Sequence, residues 1–526
     1  MPTQNSTGGG GGLASEDRAF FGHPRGLSTL FFTEMWERFS YYGMRAFLLL
    51  FMVAPVEAGG LGIGAAQAGV IYGLYTSMVY LLSVPGGWIA DRFLGQQKAV
   101  LYGGVLIMSG HIVLAVPAVG TFYFGLALVA LGTGLLKPNI STIVGQLYGP
   151  EDKRRDAGFS IFYMGINIGA WLAPILCGTY LAESEHFRHL LAGMGIAPRS
   201  AWHFAFGAAA VGMAAGLVQY NFGRKYLGSA GRERVPPEND KQARQNRQIL
   251  VAVIALFIGV PALLVILNAV GTMTITQEQL GGIIDYTYFG LVIGVFVLLF
   301  LFCRNSDEIR RLVVIVVLFL AAMIFWACFE QAGSVLTLFA KEHTDRNFFG
   351  WQFGSTLYQQ FNSVFVVMLA PVFAWLWVTL AKKGVEPVTP LKFALGMFFV
   401  GVGYLVMLPA AKMAVTGVKS GPYWLVGLYL VHTIGELCLS PVGLSAMSKL
   451  APARWGGLVL GIWFLAASMG NYLAGRAVGL SVSMRLDSYF LLVAAIPIGL
   501  AVLLALLAKP IHGLLRQGSD AASSSH

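Results

Sequence analysis

Residues 28–54 read STLFFTEMWERFSYYGMRAFLLLFMVA, and the class of the molecule turns on how that stretch is interpreted. Its length suits a bilayer, whose hydrocarbon core needs about 20 mostly apolar residues to cross. Yet it carries Glu34, Glu37, Arg38 and Arg45. An ionisable group at the bilayer centre costs roughly 2.5–3.5 kcal/mol even on lenient insertion scales, so such groups are rare and are retained for a purpose. Positions 34, 37, 38, 41, 42 and 45 recur at i, i+3, i+4, i+7, i+8 and i+11, which places them on one helical stripe. That stripe joins two carboxylates, two guanidinium groups and the phenols of Tyr41 and Tyr42. It must face protein or a water-filled cavity, not lipid.

The rest of the chain has the same character. Of its 526 residues, 56% are hydrophobic and only 11% are charged, against about 25% charged in soluble domains. Fourteen membrane spans are expected, near 28–54, 66–90, 99–117, 121–145, 157–182, 200–222, 247–270, 287–303, 312–340, 351–379, 391–410, 421–448, 456–480 and 487–510. Well inside them, away from the ends, fall four further charges: Lys137, Glu330, Glu436 and Arg476. Arg476 has no acidic neighbour one turn away and reads as a packing or snorkelling residue.

The net charge of +10 would suggest nucleic acid in a soluble protein. Here the surplus sits in alternate loops, as in Arg92, Lys98, Lys153, Arg154, Arg155, Lys382 and Lys383, and in both tails. The opposite loops hold only Arg188, Arg199, Lys341, Arg346, Lys412, Lys419 and Arg485. The positive-inside rule then puts both termini in the cytoplasm. Cys177, Cys303, Cys328 and Cys438 lack CxxC spacing, and His111, His203 and His432 lack ligand spacing, so neither a disulfide framework nor a metal site is expected.

The polar, basic segment 223–248 divides the chain after six spans. A weak repeat crosses it: Leu136-Lys137-Pro138 resembles Leu439-Ser440-Pro441, and Phe162 to Gly169 resembles Trp463 to Gly470, at nearly the same offset. The resulting division is a disordered cytoplasmic tail (1–24), a six-helix bundle (25–222), a cytoplasmic linker (223–248), two additional helices (249–305), a second six-helix bundle (306–512) and a cytoplasmic tail (513–526). This is an all-α polytopic membrane protein with the six-plus-six pattern of the major facilitator fold.

Several motifs then point to one family. Glu34-x-x-Glu37-Arg38-Phe39-x-Tyr41-Tyr42-Gly43 resembles the first-helix signature of the proton-dependent oligopeptide transporters, and Phe162-Tyr163-x-x-Ile166-Asn167-x-Gly169 resembles their second. Gly87-x-x-x-Asp91-Arg92-x-x-Gly95 is similar to the loop motif of major facilitator proteins, where the charges are expected to stabilise the cytoplasmic closure. Lys137, Phe325-Trp326, Glu330-Gln331, Phe361-Asn362 and Glu436 fit the family pattern too. The likeness runs over roughly residues 20–510, and the two additional helices are typical of the bacterial branch. Animal members carry a proton-linked His where Gly73 stands here, so a coupling scheme built on that His cannot apply.

The resemblance implies symport of di- and tripeptides with protons by alternating access across a bacterial inner membrane, by a chain functional as a monomer. It implies no enzyme activity, no metal and no cofactor other than the proton as coupling ion. Buried carboxylates beside cations are the natural proton carriers, which selects Glu34, Glu37, Arg38, Lys137 and Glu330. The resemblance assigns a peptide carboxylate to Arg45, Lys137 and Arg38, and a peptide ammonium to Glu436 with Asn167 and Asn362. Tyr41, Tyr42, Tyr75, Trp326 and Trp463 would wall the side-chain pockets. It also implies two gating pairs, Arg45 with Glu330 and Lys137 with Glu436. The alternative is a same-fold carrier of a non-peptide solute such as nitrate or a drug-like anion; relatives in plants move nitrate and often lack part of the first-helix charge set, all of which is present here. A membrane-embedded enzyme lacks its nucleophile, base and metal sets, a passive channel would only equilibrate its solute, and no Walker sequence supports ATP-driven transport.

Overall fold

In a computed structural model, residues 17–149, 152–270, 277–348, 351–450, 456–511 and 513 are described. The expectations for residues 1–16 and 514–526, within the two tails, lie outside that set. Long helices dominate, for the reason the sequence gives: in hydrocarbon every backbone N–H and C=O must be satisfied within its own segment. They are α1 (Arg25–Val53), α2 (Ala65–Leu81), α3 (Gln96–Leu114), α4 (Val119–Gln146), α5 (Arg155–Ala173), α6 (Ala201–Gly223), α7 (Asp240–Ile254), α8 (Gln277–Leu301), α9 (Ser306–Phe329), α10 (Gln360–Lys382), α11 (Thr389–Val406), α12 (Tyr423–Leu450), α13 (Gly456–Ser483) and α14 (Leu486–Leu506). Among the described residues, twelve helices are long and apolar enough to cross a membrane. Helices α1 and α13, of 29 and 28 residues, have the length but are not among the twelve. For α1 the reason is the charged stripe itself. Among the described residues the strands amount to one short antiparallel pair, Asn347–Phe348 with Trp351–Gln352.

Two compact units cut across the sequence order. One comprises the chain up to Gly43, Leu81–Ala173 and His203–Leu280; the other comprises Met44–Tyr80, Pro174–Trp202 and the chain from Gly281 onward.

In the first unit, α3 and α4 approach closely because glycines face each other: a Cβ on Gly103 would lie 2.6 Å from the Gly132 carbonyl. Small residues allow such backbone contact between membrane helices. Helix α1 is flanked in the same manner, with Gly165 of α5 against Phe31 and Gly216 of α6 against Trp36. The expected free linker is partly tied down. Gln97 N–H donates to the Gly231 carbonyl (2.9 Å) and Val235 N–H to the Asp91 carbonyl (2.9 Å). Gly231 N–H in turn donates to Gln146 Oε1 at 2.6 Å. Gly95 closes the loop motif at φ +77°, a conformation that favours glycine.

In the second unit, α11 packs on α12 and α14, and α9 on α13. Helix α2 meets α13 through backbone: a Cβ on Gly73 would come within 2.8 Å of the Tyr472 carbonyl and 2.9 Å of Gly475 Cα. Two helix starts differ most from expectation. Helix α8 begins at Gln277 rather than 287, because Asp285 finds partners and need not stay in a loop. Helix α10 begins at Gln360 rather than 351, since Trp351–Gln352 pairs as a strand with Asn347–Phe348 and Ser355–Gln359 forms a 3-10 turn.

Candidate functional site

Helix α1 holds its acidic residues where the stripe predicts. In the first unit, Arg38 Nε lies 3.1 Å from Glu34 Oε1 and also bonds Glu37 Oε2. All three are buried, and Glu37 is fully so. The accounting is uneven. One guanidinium serves two carboxylates, and Glu34 Oε2 and Glu37 Oε1 have no hydrogen-bond donor among the described residues. Lys137, half-buried on α4, acts on Glu34 electrostatically. The Arg38 guanidinium also stands 5.4 Å from the centre of the Tyr41 ring, which packs edge-on against Tyr42 at 5.1 Å. Asn167 Nδ2 donates to the Tyr163 carbonyl of its own helix at 2.9 Å.

The second unit contains the other expected residues. Arg45 pairs with Glu330, and its Nε donates to the Tyr72 hydroxyl at 2.8 Å. Both ion-pair partners are buried. Glu436 accepts from Asn362 Nδ2 at 3.0 Å, and the same amide lies 3.0 Å from Thr433 Oγ1. Tyr75 and Trp463 are buried, and Trp326 is half-buried with no hydrogen-bond partner for its Nε1 among the described residues. Trp326 packs edge-on against Phe325 and Phe329. Lys137 and Glu436, expected as a pair, belong to different units.

Two polar centres were missed. The carboxylate of Glu183, 2% exposed, accepts from Ser355 N–H (3.0 Å), Ser355 Oγ (2.9 Å), Thr356 N–H (3.0 Å) and Arg346 Nη1 (3.4 Å), with Lys341 Nζ at 3.5 Å. It thereby caps the turn that starts α10. The second centre corrects the reading of Arg476. Its guanidinium pairs with Asp285 of α8, Nε to Oδ1 at 3.0 Å, a partner 191 positions away in sequence. No disulfide joins the four cysteines, and no group of three or more His, Cys, Asp or Glu is gathered for a metal among the described residues.

Long apolar helices, with ion pairs held inside them, define a polytopic membrane protein of the transporter class. The sequence pattern of the POT family (PTR2) matches residues 97–492, and the chain belongs to that family. It is 39% identical over 538 aligned residues to the peptide transporter YePEPT of Yersinia enterocolitica, covering 99% of this chain and 100% of that one. It is 36% identical to a di-/tripeptide transporter of Lactococcus lactis, over 96% of this chain and 99% of that one. A crystal structure of a peptide transporter POT in complex with sulfate matches with a TM-score of 0.85 at 40% identity, covering 95% and 98% of the two chains. That of a POT family transporter in complex with 5-aminolevulinic acid matches with a TM-score of 0.82 at 34% identity, covering 94% and 98%. The fold is that of the major facilitator carriers.

Proposed function

We propose that this chain is a symporter that imports di- and tripeptides with protons by alternating access. The observation that carries the reading is the acid pair on α1, two buried carboxylates sharing one guanidinium with two oxygens lacking donors. A proton on either carboxylate supplies a missing donor and restores the balance of charge. Membership of the POT family, and relatives named as peptide transporters, support the substrate class.

Glu436 with Asn362 offers an anionic pole for a peptide ammonium, and Lys137 with Arg38 a cationic one for its carboxylate. Tyr41, Tyr42, Tyr75, Asn167, Trp326 and Trp463 would serve as walls and amide contacts. Arg45–Glu330 is the gating pair. We read the spans as six, two and six, with both termini in the cytoplasm of a bacterium and the monomer as the working unit. On that orientation the loops 54–64 and 183–200 face outward. The second unit, which gathers these loops with Arg45–Glu330, Gly73–Gly475 and the Glu183 cap, is then a closed outer gate.

The energetics suffice. Each net charge that crosses gains about 2.3 kcal/mol per 100 mV, enough for roughly fifty-fold accumulation at 1.4 kcal/mol per decade. A relative crystallised with 5-aminolevulinic acid suggests a broader reading, in which any small molecule with an ammonium and a carboxylate end is carried. Proteoliposomes containing a pH dye separate the possibilities. With a negative interior, dialanine should acidify the lumen. Acidification by nitrate and not by dialanine would overturn the peptide reading.

A further inference from the structure

Helix α8, the second of the two helices between the bundles, touches its unit along one stripe. Tyr288, Val292 and Leu299 are buried, whereas Tyr286 and Leu301 on the other sides are exposed. Phe296 packs edge-on against Phe319 of α9 at 4.9 Å. The stripe ends in polar contacts with α13. Besides its pairing with Arg476, Asp285 accepts from the Tyr472 hydroxyl at 2.5 Å, and Arg476 Nη2 donates to the Gly281 carbonyl at 3.1 Å. The Tyr288 ring stacks on Tyr472 with centroids 4.9 Å apart and planes 12° apart. One turn further along, Ser468 Oγ donates to the Ser77 carbonyl of α2 at 2.8 Å. Its single proton being used there, the 2.7 Å bond to Tyr288 has the phenol as donor. A directed relay therefore runs from α8 through α13 to α2.

A helix that merely fills the lipid boundary has no use for an ion pair, which is costly in hydrocarbon. By contrast, the span Asp240–Leu264, which contains α7, buries none of its most apolar stretch. The residues that α8 grips, 468, 472 and 476, form one stripe of α13. Gly475, which meets Gly69 and Gly73 of α2, adjoins that stripe. We propose that α8 is a positioning strut: Asp285 and Tyr288 set the height and rotation of α13 at which Gly475 seats against α2. When the seat opens, the Ser468–Ser77 bond breaks while Asp285–Arg476 holds, so α8 travels with α13. This rests on reading the α2–α13 contact as part of a transport gate.

The seat can be measured directly. A Cβ on Gly479 would lie 3.5 Å from Ala66 Cβ, within disulfide reach. Ala66→Cys with Gly479→Cys, in a chain whose Cys177, Cys303, Cys328 and Cys438 are replaced by Ser, reports closure as the cross-linked fraction. Asp285→Asn and Tyr288→Phe should each lower cross-linking and dialanine uptake together, by about threefold. Exchanging the charges, Asp285→Arg with Arg476→Asp, should restore most of both. Unchanged cross-linking in variants that elute and melt like the parent would overturn the strut, as would an exchange that restores neither readout. Cross-linking needs no substrate, so a wild type that cross-links without carrying dialanine contradicts the transport reading and leaves this test intact.

Discussion

The proton coupling proposed above rests on three residues on one turn of α1: Glu34, Glu37 and Arg38. Their spacing was legible in the sequence because intramembrane charge at i, i+3 and i+4 has few uses. Arg45 and Glu330 were paired only through family resemblance, and the structure joins them. What sequence could not show was any partner whose residue looks ordinary in its own neighbourhood. Glu183 stands at the end of a span, where a carboxylate reads as a solvated loop residue. Its five donors come from residues 341–356, and no local pattern announces them. Asp285 fell just outside an expected span for the same reason. At this scale Arg45→Ala is informative, since it leaves Glu330 buried without its partner. Removing one member of a buried pair costs about 3–5 kcal/mol, so the closed arrangement should lose at least roughly a hundredfold in population. The cross-linked fraction of the Ala66→Cys, Gly479→Cys pair, whose Cβ atoms would lie 3.5 Å apart, should fall accordingly, and unchanged cross-linking would remove Arg45–Glu330 from the gate.

Helices were the most readable level, because length and apolarity mark them in lipid. Their close contacts were less so, as a glycine gives no sign of which neighbour it admits. Gly73 illustrates the gap. It was noted for lacking the His of animal relatives, but the structure gives it a positive use as the floor of the α2–α13 contact. Gly73→Ala would place a methyl within 2.8 Å of the Tyr472 carbonyl. Overpacking of this kind costs about 1–3 kcal/mol, and proton-driven uptake should fall roughly tenfold while the protein still folds. Wild-type uptake in that variant would mean the contact is not part of the cycle. A separate element lies at the start of the chain. His23 Nδ1 lies 2.9 Å from the Tyr148 hydroxyl, and Arg154 Nη1 donates to the carbonyls of Asp17 (3.2 Å) and Gly22 (3.1 Å). Burial, with the Arg154 charge, holds the His23 imidazole below its ordinary 6.5, and burial pushes the Tyr148 phenol to about 12. A folded-state value below the unfolded one means this anchoring is fully present above pH 6.5 and is lost as pH falls toward the depressed value. Hydrogen-exchange protection across residues 17–25, taken relative to the intrinsic exchange rate at each pH, should fall in that window, and His23→Gln should abolish that change in protection.

For the whole molecule, the proposed symport requires proton binding at α1 to be linked to movement of a peptide. The family, the membrane class and the charged first helix all follow from sequence and its relatives; the coupling does not. The most direct measurement compares wild type with Glu37→Gln in proteoliposomes, in two assays on the same preparations. Counterflow exchange of labelled dialanine needs binding and reorientation but no net proton movement, whereas accumulation against a gradient needs coupling. With coupling at α1, Glu37→Gln should retain exchange and lose proton-driven accumulation, by at least about tenfold. Accumulation at the wild-type level in that variant would contradict it.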